Sequence, residues 1–202
     1  MAELTLTTFL TLDGVMQAPG GPGEDTSGNF PYGGWVFPHF DEGMNKTMAE
    51  IFSQADAFLL GRRTYDIFAA YWPKVTDPHD PIASKLNGLP KFVASRTRTA
   101  FDWSGTSLLG DVVSGVAELK KRFPREVQVH GSCDLAQTLI ANDLIDEYRL
   151  LTFPVVLGTG KRLFGVGAVP AAFTLVRSST TSKGVLISFY RRAGKLPTGS
   201  FV

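Results

Sequence analysis

The chain has 202 residues, is 44% hydrophobic and 19% charged, and carries a formal net charge of +1. That is enough apolar material for one domain with a buried core and too little charge for a disordered chain. Acids and bases interleave without a basic stripe, which argues against a nucleic-acid partner, and the lone cysteine, Cys133, rules out an internal disulfide or a cysteine-rich metal site.

Leu4 to Leu10 mixes alternation with β-branched residues and predicts a strand that runs into the turn signal Asp13-Gly14. A loop dense in glycine and proline follows, from Pro19 to Gly34, with the aromatics Phe30, Tyr32, Trp35 and Phe37 in or beside it. Asp41 to Gln54 predicts a helix with Met44, Met48, Ile51 and Phe52 facing the core. Ala57 to Leu60 is a short apolar run ending at Gly61, as expected of a buried strand, and a helix follows from Thr64 to Tyr71. Pro73 to Pro90 predicts mostly loop, with a short helix around Ile82 to Leu86. Lys91 to Ala94 predicts a strand, Val112 to Phe123 an amphipathic helix, and Val127 to His130 another strand. Asp134 to Asn142 predicts a helix opened by a loose capping box, Asp134-x-x-Gln137. Ile145 to Phe153 predicts a strand, and Phe173 to Arg177 with Val185 to Arg191 an antiparallel pair. Strands and helices alternate through the middle, so the expected fold is α/β, with a mixed, mainly parallel sheet flanked by helices. Residues 1–195 are expected to form one domain and 196–202 a tail. Met1 to Thr5 has an acid and no basic region, so no signal peptide is read there. No run approaches the roughly 18–20 apolar residues of a membrane span. A cytoplasmic protein with no membrane partner is expected. His39, His79 and His130 lie far apart, and no metal is expected.

Three predicted strands end in glycine or small polar residues with arginines beside them: Gly61-Arg62-Arg63-Thr64, Ser95-Arg96-Thr97-Arg98 and Gly131-Ser132. In a parallel sheet these ends share one edge, where ligands bind. Glycine admits close backbone approach, helix starts present free N–H groups to anions, and arginine forks onto phosphate. Each motif alone also reads as an ordinary turn or solvated surface; jointly they predict a site for a multiply phosphorylated cofactor. Gly158-Thr159-Gly160-Lys161 fails as a P-loop, because Val155 and Arg162 stand where glycine and Ser/Thr are needed.

Leu12-Asp13-Gly14-Val15-Met16-Gln17, Asp56 to Tyr65, Gly131 to Leu135, Asp143 to Leu150 and Pro154 to Phe164 together resemble the dihydrofolate-reductase-like superfamily. The likeness is to stand-alone relatives of the reductase domain of bifunctional riboflavin-biosynthesis deaminase-reductases. It spans nearly the whole chain and implies a three-layer fold, NADPH, hydride transfer to a small heterocyclic or carbonyl substrate, and a homodimer. By position it implies that Gly61, Arg62, Arg63 and Thr64 meet the cofactor phosphates and that Ser95 and Arg96 meet the 2′-phosphate. Gly131 and Ser132, with the amides of Cys133, Asp134 and Leu135, take the pyrophosphate. Val15, Met16 and Gln17 lie along the nicotinamide, with Gly20 to Gly34 as a lid.

The substrate side is less defined. Asp41 and Glu42 are the candidate acids, although acids at a helix start also stabilise it electrostatically. Trp35, Phe40 and Trp72 are candidate pocket walls or core residues. Cys133 reads as a small buried hydrophobe before a nucleophile, His130 as packed, and Asp13 as fixing its turn. A riboflavin-pathway reductase acting on 5-amino-6-(5-phosphoribosylamino)uracil and a non-catalytic NADPH-binding or regulatory protein are the alternatives.

Overall fold

Alternation along Leu4-Thr5-Leu6-Thr7 divides the first strand between two faces: Leu4 and Leu6 join one hydrophobic cluster, while Phe9 packs against the other. The computed structural model describes residues 1–165 and 168–201, and this strand, β1 (Glu3–Thr11), lies inside an eight-stranded sheet. The others are β2 (Ala55–Gly61), β3 (Lys91–Ala94), β4 (Thr106–Leu109), β5 (Glu126–His130), β6 (Glu147–Phe153), β7 (Phe173–Thr180) and β8 (Leu186–Arg192). The order is β4-β3-β2-β5-β1-β6-β8-β7. The first six strands in sequence pair in parallel, and β8 pairs antiparallel with both β6 and β7.

Helices α1 (Glu42–Ser53), α2 (Arg62–Tyr71) and α3 (Pro81–Gly88) cover one face with Met44, Met48, Ile51, Phe52, Tyr65 and Leu86. Helices α4 (Val112–Arg122) and α5 (Cys133–Ala141) cover the other with Val116, Leu119, Leu135, Ala136 and Leu139. The result is the expected three-layer α/β arrangement. Aspartates end the preceding loops and cap three helices: Asp41 accepts from Met44 N, Asp80 from Ile82 N and Ala83 N, and Asp111 from Ser114 N.

The structure corrects the sequence reading in several places. β4 was not expected; its residues Thr106 and Ser107 are polar and it is an edge strand, so it lacks an apolar run. β7 extends past Arg177 through three small polar residues, because an edge strand exposed on both faces needs no hydrophobic alternation. α2 begins directly at Arg62, and α3 starts at Pro81. The capping box on α5 does not form: Ser132 is the N-cap residue, and Gln137 Nε2 instead donates to Leu163 O at 2.9 Å. Residues 196–201 carry no helix or strand, and Val202 of the expected tail lies outside the described residues.

Lys91 opens β3 with its ammonium fully buried, donating to Leu86 O at 2.7 Å and Leu89 O at 2.8 Å and lying 4.5 Å from the Trp103 ring centre. Burial pushes this amine down to about 8. Lys91→Met keeps the aliphatic stem but orphans both carbonyls, and is expected to cost about 2 kcal/mol by urea unfolding. A loss within error would show that the carbonyls find other partners.

Candidate active site

The carboxyl ends of the parallel strands share one edge, and the loops leaving them meet there. At its centre β2 and β5 end side by side. Gly61 N–H donates to Ser132 Oγ at 2.9 Å, and the Ser132 hydroxyl donates to Thr64 Oγ1 at 2.7 Å. A Cβ on Gly61 would sit 3.1 Å from both Ser132 Cβ and Oγ, so the close approach of the two strand ends calls for glycine. Gly131 and Ser132 both have left-handed backbones, with φ of 58° and 65°. For serine that conformation costs about 1–3 kcal/mol, offset here by its bonds to Gly61 and Thr64. Because the Ser132 side chain turns toward β2, α5 begins without a side-chain cap. Among the described residues, no side chain caps the first amides of α5, those of Cys133, Asp134 and Leu135.

The arginines divide into engaged and free. Arg62 reaches Thr97 Oγ1 and Asp66, and Arg98 is tied to Asp66 at 2.7 Å and to Ala100 O. Ser95 Oγ closes its turn by accepting from Arg98 N at 2.8 Å. Arg96 is exposed and, among the described residues, has no hydrogen bond or ion pair. Arg63 bonds the Asp25 carboxylate, which Lys161 also meets at 2.7 Å.

The first loop is built inward. Val15, Met16 and Gln17 are buried. Val15 N donates to Thr11 Oγ1, Met16 N to Lys161 O, and the Gln17 side chain donates to Asp25 O and Ser27 O while accepting from Lys161 N. Met16 joins the main hydrophobic cluster with Leu6 and Leu163, Val15 packs with Ala18 and Phe30, and the Gln17 side chain is spent inside the loop. Asp13 accepts from Thr11 Oγ1, Leu157 N, Gly158 N and Arg162, and the Thr11 hydroxyl leads in holding its carboxyl well below the usual range. It fastens the turn, as expected, to the segment 157–162. Sequence reasoning missed Asp25 and the Gln17 clamp; an acid two residues before a serine, inside a glycine-rich loop, was the available signal.

The candidate acids are also corrected by their surroundings. Asp41 caps α1 and accepts from Ser182 Oγ at 2.6 Å and Lys183 N at 3.2 Å, anchoring the β7–β8 turn. The Ser182 hydroxyl and then the Met44 amide hold its carboxyl down to about 2. It is ionised at neutral pH and has no proton to give. Glu42 is exposed in the first turn of α1. Trp35 is a core ring, packed edge-on 5.4 Å from Phe153 with Nε1 donating to Gln17 O. Phe40 is half-buried against the same core, and Trp72 lies at the far end of α2 beside Phe68 and Tyr71. All three belong to or pack against one hydrophobic cluster. A cleft of about 980 Å³ lies elsewhere, between α2, α3 and the 98–104 loop, lined by Tyr65, Asp66, Asn87, Arg98 and Trp103 among others.

Burial pushes the Cys133 thiol up to about 11, which leaves it protonated and unreactive. His130 is buried, stacked 4.3 Å from the Phe52 ring centre, with Nε2 3.0 Å from Gln128 Oε1. Burial, helped by the Arg149 charge, pushes it down to about 3. An unfolded histidine titrates near about 6.5. Between those values the unfolded chain binds a proton that the folded chain does not, so stability is full above the unfolded value and declines as pH falls, by about 1.4 kcal/mol per unit. The loss in unfolding free energy between neutral pH and about pH 5 is expected to be smaller by about 2 kcal/mol in His130→Asn than in the unchanged protein. Identical pH profiles would rule out His130 as the source.

Among the described residues, no group of three or more His, Cys, Asp or Glu could hold a metal ion, and no helix is long and apolar enough to cross a membrane. The family model for the RibD C-terminal domain matches residues 2–187. The chain belongs to the RibD C-terminal domain family. Its curated relatives include the uncharacterized protein YyaP of Bacillus subtilis, 28% identical over 95% of this chain and 96% of that one. Among solved structures, a Shewanella sp. PV-4 protein named for riboflavin biosynthesis superposes with a TM-score of 0.69 at 22% identity, covering 95% of this chain and 99% of that one. A pyrimidine reductase-like protein of Corynebacterium diphtheriae superposes at 0.60 and 13% identity, covering 95% and 92%. These two share the fold of this RibD C-terminal domain.

Proposed function

We propose that the chain is an NADPH-dependent reductase that transfers hydride to a small heterocyclic or carbonyl substrate. The observation that carries this reading is the junction of Gly61, Thr64 and Ser132, which sets the starts of α2 and α5 side by side with unclaimed amides and with Arg62 and Arg63 beside them. A glycine whose Cβ would collide with the neighbouring strand end and an uncapped helix start fit a pyrophosphate. Membership of the RibD C-terminal domain family supports a reductase. NADPH, when bound, supplies the hydride; the chain's part is to hold and orient it and to exclude water. With Asp41 ionised and bound to the hairpin, the proton comes from solvent. NADPH oxidation against a panel of pterins, pyrimidines and quinones tests the proposal. Turnover of the ribosylated pyrimidine alone would favour the riboflavin-pathway reading, and tight NADPH binding without turnover a binding protein.

Arg96 is proposed for the 2′-phosphate because it is exposed and uncommitted, whereas Arg98 is held by Asp66. Arg96→Ala is expected to weaken NADPH binding by about 1.5–3 kcal/mol and leave NADH almost unchanged, since a charge-assisted phosphate contact is lost. Equal losses in fluorescence titrations of the two cofactors would remove this role.

A homodimer is proposed through β7, an edge strand with Leu175 and Val176 each 51% exposed. An uncovered apolar edge strand is a pairing site that a second copy would cover. Light scattering after size exclusion checks it, and a monomer at micromolar concentration would overturn it.

A further inference from the structure

We infer that the Asp25 carboxylate holds the place of a phosphate group, in a two-cation anion site made by Arg63 and Lys161, and that Lys161 is a ligand of the diphosphate once Asp25 has left. The inference rests on the cofactor reading above for the identity of the diphosphate, but the anion site stands on its own geometry.

Asp25 Oδ2 lies 2.7 Å from Lys161 Nζ, and Arg63 Nη1 reaches both carboxylate oxygens at 3.2 Å. Ser27 completes the shell, donating to Oδ1 from N at 3.1 Å and from Oγ at 2.6 Å. The two cations come from distant parts of the chain, Arg63 from the first turn of α2 and Lys161 from the loop after β6. Among the described residues, neither has another carboxylate partner. If Asp25 withdrew, both charges would be left unpaired and aimed at one point. The segment that carries Lys161 lies against α5, where Gln137 Nε2 donates to Leu163 O at 2.9 Å.

A purely structural role, pinning the glycine-rich loop, does not need this carboxylate. The loop is already held by neutral groups: Gln17 Nε2 on the carbonyls of Asp25 and Ser27, Trp35 Nε1 on Gln17 O, and Gly34 N on Ala18 O. The carboxylate adds a charge between two cations that come from distant parts of the chain. A carboxylate has a single negative charge to share between them, while a diphosphate brings more charge and more acceptor oxygens. A diphosphate can therefore displace Asp25, which a monoanion such as acetate cannot. The exchange is also linked to the first loop, because Lys161 N donates to Gln17 Oε1 and Lys161 O accepts from Met16 N.

Calorimetric titration with inorganic pyrophosphate and with NADPH tests this in the unchanged protein, Asp25→Asn and Lys161→Gln. Asparagine keeps an oxygen for Ser27 but presents an uncharged amide to the cations. If the latched state dominates by about ten to one, Asp25→Asn should bind both ligands about tenfold more tightly. Lys161→Gln should bind pyrophosphate more weakly than the unchanged protein, and this arm holds even where Asp25→Asn fails to fold. Unchanged pyrophosphate affinity in both variants overturns the inference. NADPH binding equally to the unchanged protein and to Asp25→Asn overturns the latch and leaves the cofactor reading intact. A gain for pyrophosphate in Asp25→Asn, with no NADPH binding to any protein, supports the anion site and removes the cofactor reading.

Discussion

Replacing Arg149 by methionine is expected to lower the unfolding free energy by about 3–5 kcal/mol, the usual cost of stranding a buried charge. Arg149 lies on β6 and reaches across β1 to Glu126 on β5, with Nη1 and Nη2 at 3.0 and 2.7 Å from its two oxygens, while Nε meets Glu147 at 2.8 Å. Its side chain is 6% exposed and those of Glu126 and Glu147 are 14% and 8% exposed. Burial alone would lower the affinity of this guanidinium for its proton, but the bonds to Glu126 and Glu147 raise it, so the charge is fixed in place. The network continues through Arg191, which bonds Glu147 and, by both Nη atoms, Glu3. Methionine fills the stem's space but leaves Glu126 without its forked partner. Thr5 and Thr7, on the strand between β5 and β6, are themselves buried, so the network lies away from the surface. The thermal midpoint should fall by about 10 °C. Neutralising the acids as well, in R149M/E126Q/E147Q, should recover much of the loss, since the penalty comes from the unpaired carboxylates more than from the missing pair. Equal loss in the single and triple variants would point to packing instead.

None of that network was legible in the sequence. Glu126, Glu147 and Arg149 look like surface charges on strands, and only the parallel register, Glu3 beside Glu126 and Thr5 beside Glu147, brings them onto one buried face. What could be read was whatever repeats locally. The apolar runs of β2, β3 and β5 and the core spacing of Met44, Met48, Ile51 and Phe52 are short-range patterns, and each became the element expected. β4 and the outer half of β7 have no such pattern, because an edge strand is defined by its neighbour rather than by its own residues.

The candidate site divides along the same line. Gly61, Thr64 and Ser132 sit at or just after strand ends, where chain order fixes their place, so their meeting is legible in the sequence. Asp25 and Lys161 come together only through the packing of two long loops, so their pairing could not be read from either segment. Asp41 was singled out as a charge near a helix start, and its capping bonds to Met44 and Ser182 account for it there. Trp35 was singled out as an aromatic near the lid, but burial in the core gives it a packing role.

Gly61→Val is expected to weaken NADPH binding by about ten- to hundredfold, from an overpacking strain of about 1–3 kcal/mol placed between the two halves of the cradle. The backbone at Gly61, φ −71° and ψ 155°, is open to any residue, so the substitution acts through space and not through conformation. Its first added carbon already lies 3.1 Å from Ser132 Cβ and Oγ and 3.5 Å from Leu135 Cβ. The branching methyls of valine must then push Ser132 away from β2. That movement breaks the Gly61 N–Ser132 Oγ bond, pulls the Ser132 hydroxyl from Thr64, and leaves Ser132 in its left-handed conformation without the bonds that offset it. The starts of α2 and α5 then separate, which the proposed cofactor reading makes costly for binding. Gly61→Ala should show the same change in reduced form, because a shift of a few tenths of an ångström accommodates one methyl. A graded series in NADPH dissociation constants, glycine tightest and valine weakest, with thermal midpoints falling in the same order, is the expected result. Valine binding NADPH as tightly as glycine would mean that the cofactor does not sit across this junction.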